Sequence, residues 1–151
     1  MPTIDKILLS ELEALRKDII ERNVQFGSVA SGRTNKAFST RLTGDLSGVL
    51  EGATYAGVLQ RGRKPGKVPN DMVERIKEWI IAKGLAFKDE KDLDRFANSI
   101  KWSIIKFGSK LYRTKQEHDV FDTPIADFEN RLASEIAAFY EAKSINEIFN
   151  K

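Results

Sequence analysis

The sequence predicts a single α+β domain: a long N-terminal helix, a small antiparallel sheet, central helices and a packed C-terminal amphipathic helix. Three observations carry that expectation. Apolar residues recur at three- and four-residue spacing towards both ends of the chain, the period of helices that bury one face. Between Phe26 and Gly52 that period is lost. Gly27, Gly32, Gly44, Gly48 and Gly52 divide the segment into short runs rich in Thr, Ser, Leu, Val and Phe, which is strand composition. Finally, 151 residues with 41% hydrophobic and 31% charged side chains are enough for one buried core and few for two.

Each element has its own justification. In the N-terminal helix, residues 1–23, Thr3 or Asp5 can cap the start, and Ile4, Leu8, Leu12, Leu15 and Ile19 share a face. The same run suits packing on its own domain or against a neighbouring subunit. Residues 24–52 read as a loop and two short strands, Phe38–Thr43 and Leu46–Leu50, with Thr43-Gly44-Asp45 as the turn; Ser28–Lys36 reads as a mobile loop. Residues 53–110 hold helices. A short one over Ala53–Gln60 stops at Gly62 and Pro65, and a second after Pro69-Asn70 has Met72, Val73, Ile76, Trp79 and Ile80 on one face and ends at Lys83-Gly84. A third opens on the acidic run at Asp89, where the helix dipole favours negative charge, and buries Leu93, Phe96, Ala97, Ile100, Ile104 and Phe107. Residues 123–151 form the last helix and tail. Thr123 is the expected cap and Pro124 the first helical residue, and Ile125, Phe128, Leu132, Ile136 and Phe139 form a stripe for which the sheet is the natural surface. Ser144–Lys151 reads either as a frayed end or, through Ile145, Ile148 and Phe149, as a segment that docks on a partner.

The composition leaves few means of catalysis. There is no cysteine, which removes disulfides, thiolate chemistry and Cys-based zinc sites, and a single histidine removes any multi-His metal site. Gly62-Arg63-Lys64-Pro65-Gly66-Lys67 superficially resembles a phosphate loop, but it has three residues between its glycines where four are needed, and Val68 follows the lysine in place of Ser or Thr. Glu90, Asp92 and Asp94 alternate like calcium ligands, yet Arg95 and Lys101 occupy the positions that require Gly and Glu. His118, between Glu117 and Asp119, is expected to be solvent-exposed. Asp119 and Asp122 could form an acid pair, but no nucleophile logic surrounds them. No cofactor and no metal are expected. No run approaches the roughly 20 apolar residues of a membrane span, and Asp5, Lys6, Glu11 and Glu13 interrupt anything like a secretory core, so no membrane partner and synthesis in the cytoplasm are expected.

Charge stands out in one place. The formal net charge is only +3, but Arg61, Arg63, Lys64 and Lys67 cluster in a stretch without an acid from Ala53 to Pro69. Four phosphate contacts there would cost roughly a hundredfold in affinity between 50 and 200 mM salt, too little for tight DNA binding by one copy. Glu117, Asp119, Asp122, Asp127 and Glu129 form an acidic counterpart. A basic loop and an acidic edge on one chain suit a head-to-tail contact whose closed repetition makes a ring.

Several motifs also carry a resemblance. Tyr55-Ala56, the run Leu59-Gln60-Arg61-Gly62-Arg63-Lys64-Pro65-Gly66, and Trp79-Ile80 followed by Lys83-Gly84-Leu85 resemble the tail-completion proteins of tailed bacteriophages, also described as head–tail joining, neck or minor tail proteins. Ser31-Gly32-Arg33-Thr34, Phe38-Ser39-Thr40-Arg41-Leu42 and Gly108-Ser109-Lys110-Leu111-Tyr112 are similar to further parts of that family, and the likeness spans roughly residues 28–140. Gln60 stands where the family commonly has an acidic residue. The resemblance implies an α+β fold and a non-enzymatic virion subunit in a homo-oligomeric ring between portal and tail. Its expected partners are portal, neck or tail proteins, with DNA in the channel as another. On that reading Arg61, Arg63, Lys64, Lys67, Asp119, Asp122, Ile145, Ile148 and Phe149 are the partner-binding candidates. The alternative is a small nucleic-acid-binding module using loop 61–67; a hydrolase using Asp119, Asp122 or His118 is a distant third.

Overall fold

A computed structural model of the protein describes residues 3–28 and 32–149; residues 29–31 of the expected mobile loop, and 1–2 and 150–151 at the ends of the expected domain, lie outside the described residues. The fold mixes helix and strand as anticipated. Helix α1 (Ile4–Gln25) begins where Thr3 accepts the Lys6 N–H, satisfying one of the orphan donors of a helix start. Its buried residues, Ile7, Leu12, Leu15, Ile19 and Asn23, follow the spacing of one packed face. A four-residue turn of helix, α2 (Arg33–Lys36), occupies the end of the segment expected to be a mobile loop, and Asn35 fixes it there by accepting from the Asn23 amide at 2.6 Å.

Strands β1 (Ser39–Gly44) and β2 (Ser47–Glu51) pair antiparallel, with Ser39 opposite Glu51 and Arg41 opposite Val49. The turn is one residue later than expected. Gly44 has no positive φ; the left-handed residue is Leu46, at φ 57°, and its N–H donates to Asp5 Oδ1 at 3.1 Å. A two-residue hairpin needs positive φ somewhere, and here an anchor on the first turn of α1 supplies what glycine would otherwise have allowed.

The expected short helix over Ala53–Gln60 contracts to α3 (Val58–Arg61), preceded by turns. Helices α4 (Met72–Ala82) and α5 (Glu90–Phe107) pack against each other. Helix α4 ends as the sequence indicated, with the N–H groups of Gly84 and Leu85 bonding back to Ile81 and Ile80. Asp89 caps α5 through the Asp92 N–H at 2.9 Å. Ile76, Ile80 and Ala97 are the buried seam of this pair, with Met72, Val73, Phe87, Leu93 and Ile100 packed around it. Trp79, Phe96 and Phe107, expected on the buried faces, are exposed instead. Two paired helices bury one narrow stripe each, and among the described residues no other helix or strand packs extensively on α4 or α5.

A short helix that the sequence reading had not included, α6 (Lys110–Thr114), follows Ser109, whose hydroxyl accepts from Tyr112 N. Helix α7 (Asp122–Phe149) closes the fold. Thr123 is not its cap: the Asp119 carboxylate accepts the Thr123 N–H at 2.9 Å and its hydroxyl as well, so Thr123 is the donor. The apolar stripe of α7 does not lie on the sheet. Helix α1 intervenes, with the hairpin against it on one side and α7 on another. Phe128, Leu132, Ile136 and Phe139 are therefore only half-buried and Ile125 is exposed. The main core gathers Leu15, Ile19, Phe38, Ala56 and Val120, flanked by Leu50, Leu59, Phe121 and Phe128. Arg131 staples α7 to α1 through Glu11 at 2.8 Å and Asp18 at 3.3 Å. His118 is not free in solvent either; its ring stacks on Phe26 at 4.5 Å between centroids, and its Nδ1 is buried.

Candidate interaction site

Loop 61–67 is pinned. Ser109 makes two bonds to one residue of it: its hydroxyl accepts the Arg63 N–H and its own N–H donates to Arg63 O, both at 2.9 Å. Gly66 N–H bonds Ile105 O at 2.9 Å. Two glycines make this approach possible. Gly62 and Gly108 have φ 78° and 80° with ψ 179°, a region that side-chain-bearing residues avoid. A Cβ on Gly62 would stand 2.5 Å from Tyr112 N, and one on Gly108 would stand 2.6 Å from Arg63 O. The sequence showed the glycines, but nothing local showed that they face each other across a shared strand of hydrogen bonds. Ser109 did carry a signal, since a serine after glycine and before a polar helical run reads as a helix cap.

Of the four loop cations, Arg61 pairs with Glu117 of the same protomer at 3.3 Å, and the Arg63 guanidinium donates to Lys67 O at 3.0 Å. The Lys64 and Lys67 residues are exposed. The acidic segment is likewise engaged inside the protomer. Asp119 meets Arg22 at 3.2 Å, and its carboxyl is held below the usual range chiefly by the Thr123 hydroxyl and N–H, with Arg22 adding to the effect. Asp122 accepts from the Gln60 side-chain amide at 2.8 Å. Basic loop and acidic segment therefore already meet within one chain at Arg61–Glu117.

Gln60 was not a candidate from sequence, yet it organises this junction. It is 5% exposed; its side-chain oxygen accepts the Phe121 N–H at 3.1 Å, and its backbone carbonyl accepts the His118 N–H at 2.8 Å. A buried amide that bridges two segments 60 residues apart leaves no periodic signature.

Two features remain that face outward. The first is the far end of α7. Arg131 lies opposite both Glu11 and Asp18, so at about 1.5 Å per residue the start of α1 falls opposite roughly residue 141 of the antiparallel α7. Residues 143–149 overhang the body, and every one is exposed. They remain helical to Phe149, not frayed, and place Ile145, Ile148 and Phe149 on one face. Ile148 is 70% and Phe149 79% exposed.

The second is a cleft of about 340 Å³ between the main core and the α4–α5 pair. Tyr55, Val58, Met72, Trp79 and Ile104 give it apolar walls, and Arg33, Arg63 and Arg75 outnumber Glu78 among its charged residues. Arg75 is held by Asp71 at 2.7 Å with its guanidinium 5.9 Å from the Tyr55 ring centroid. Arg33 pairs with Glu78 at 2.7 Å, and Lys83 donates to Gly27 O at 3.2 Å, tying α4 to the end of α1. The sequence reading did not bring these residues together, because they come from five segments.

Among the described residues no group of His, Asp or Glu side chains is arranged to hold a metal ion, and no helix is long and apolar enough to cross a membrane. Comparison of the chain with protein-family models, with curated proteins and with solved structures finds no match.

Proposed function

We propose that this protein is a structural subunit of a tailed-phage virion, a ring-forming adaptor of the tail-completion kind at the junction of head and tail. The observation that carries the reading is the bare apolar turn of α7. A helix that continues past its own domain with Ile145, Ile148 and Phe149 exposed on one face is a surface made for another chain. The motifs behind the family resemblance add support, because they converge in space. Tyr55, Arg63 and Trp79 border one cleft, and Gly62 and Gly108–Tyr112 close the clamp that holds the basic loop beside it. On this reading the protein is made in the host cytoplasm and ends in the virion, and it acts through surfaces with no bond made or broken.

Binding to nucleic acid through loop 61–67 is the weaker alternative, since Arg61 and Arg63 already have partners in the protomer and Lys64 and Lys67 alone give a small electrostatic footprint. Mass photometry of the purified chain, alone and mixed with candidate portal, neck or tail proteins, tests the proposal. Closed oligomers or stoichiometric co-complexes are expected. A monomer that ignores all of these proteins and binds bare DNA in a salt-sensitive manner overturns it.

A further inference from the structure

Resting on the reading of the protein as a ring subunit, we infer how one copy holds the next: the overhanging turn of α7 inserts into the cleft between the two cores of a neighbouring copy. The overhang presents Ile145, Ile148 and Phe149 on one face; its one cation, Lys143, stands at its base, a turn before the tip that carries Glu147. The cleft offers apolar walls from Tyr55, Val58 and Trp79 in a volume of about 340 Å³, at the lower end of what small-molecule pockets enclose and suited to a few large side chains.

Charge complements shape. A helix C-terminus carries unsatisfied carbonyls and the negative end of the dipole, and Glu147 adds a carboxylate within that turn. The cleft answers with Arg63, whose guanidinium is oriented by the neutral Lys67 O and keeps its charge, whereas Arg75 and Arg33 are offset by Asp71 and Glu78. Arginine at a helix C-terminus is the favourable sign.

Placement makes the contact intermolecular. Helix α7 starts beside Gln60, next to the cleft, and ends about 40 Å away past the start of α1. A rigid helix cannot return its tip to its own base, so knob and hole lie at opposite ends of one protomer. Such a pair joins copies head to tail, and repetition of a heterologous contact gives a closed ring where the rotation per copy permits.

The absence of cysteine from the chain permits a direct test. Ser28→Cys, at the exposed rim of the cleft, and Asn146→Cys, on the overhang beside its apolar face, are introduced into separate full-length chains, which are mixed with a short bis-maleimide. Cross-linked dimer is expected at about tenfold or more over either variant alone, since only the mixture brings a cleft cysteine against an overhang cysteine at the docked contact. Ile148→Asp, an exposed position outside both cores, should abolish that cross-link and the self-association of the chain while leaving its helical circular dichroism unchanged. If wild type assembles but the mixture cross-links no better than the single variants, or Ile148→Asp assembles normally, the docking contact is wrong and the ring reading survives. If wild type neither self-associates nor joins portal or tail proteins, both fall.

Discussion

Replacing Gln60 examines the junction that orients the basic loop, the His118 segment and the start of α7. Gln60→Ala removes a hydrogen bond to the Asp122 carboxylate at 2.8 Å and one from the Phe121 N–H at 3.1 Å, at a residue with almost no solvent access. A hydrogen bond to a charged group contributes about 1.5–3 kcal/mol and a neutral one about 0.5–1.5. Asp122 is itself exposed and regains water, which discounts the first figure. The expected loss is therefore about 2–3 kcal/mol, or roughly 4–12 °C in Tm for a chain of this length. Urea denaturation followed at 222 nm measures it. Gln60→Glu sharpens the argument, because the side chain keeps its acceptor for Phe121 but turns a second carboxylate towards Asp122. It should destabilise at neutral pH, improve as acid protonates one of the pair, and be rescued by Asp122→Asn, which restores a donor. A Gln60→Ala loss below about 0.5 kcal/mol, the scale of an ordinary surface substitution, would refute the reasoning. So would a Gln60→Glu variant that Asp122→Asn fails to rescue.

Three further outcomes are expected. The Asp119 carboxyl titrates below its unfolded value, so its contribution is fully present above the unfolded carboxylate pKa of about 3.9 and is lost as pH falls through the lower, folded value. Asp119→Asn should flatten the acid limb of a stability–pH curve there and leave its slope above pH ~6 unchanged. Gly62→Ala should cost about 2–4 kcal/mol, combining a backbone region reserved for glycine with a Cβ pressed on Tyr112 N, and thermal melts will show it. Arg63→Ala with Lys64→Ala should weaken assembly roughly three- to thirtyfold, as two solvent-accessible charge contacts, one half-buried and one exposed, of up to about 1 kcal/mol each allow, with helicity intact. Full particles from this double variant at high salt would remove charge from the account.

Local rules recovered what is local. Thr3 and Asp89 cap the helices that their positions suggested, and Gly84 ends α4 where expected. The apolar overhang was visible as Ile145, Ile148 and Phe149, although its helical state was not. Errors arose where a distant partner decided the outcome. Thr123 looked like a cap because its type and the following proline fit, but the acceptor came from Asp119. Leu46 adopts positive φ because Asp5, 41 residues earlier, receives its N–H. The stripe on α7 was legible, and the surface it meets was not, because periodicity identifies an apolar face without naming what covers it. Arg61 read as a free cation for the same reason, since Glu117 is far along the chain. The cleft was illegible altogether, being assembled from side chains that share no motif.

The two hydrogen bonds between Ser109 and Arg63 and the tie from Gly66 to Ile105 have a thermodynamic consequence for any recognition by the basic loop. Its main chain is already immobilised before an encounter. A partner reaching Lys64 and Lys67 has only two side-chain stems left to still, where a floppy heptapeptide would lose backbone freedom at every residue. Fast dissociation of such a partner would then reflect how few charges are offered, and stiffening the segment further would gain nothing.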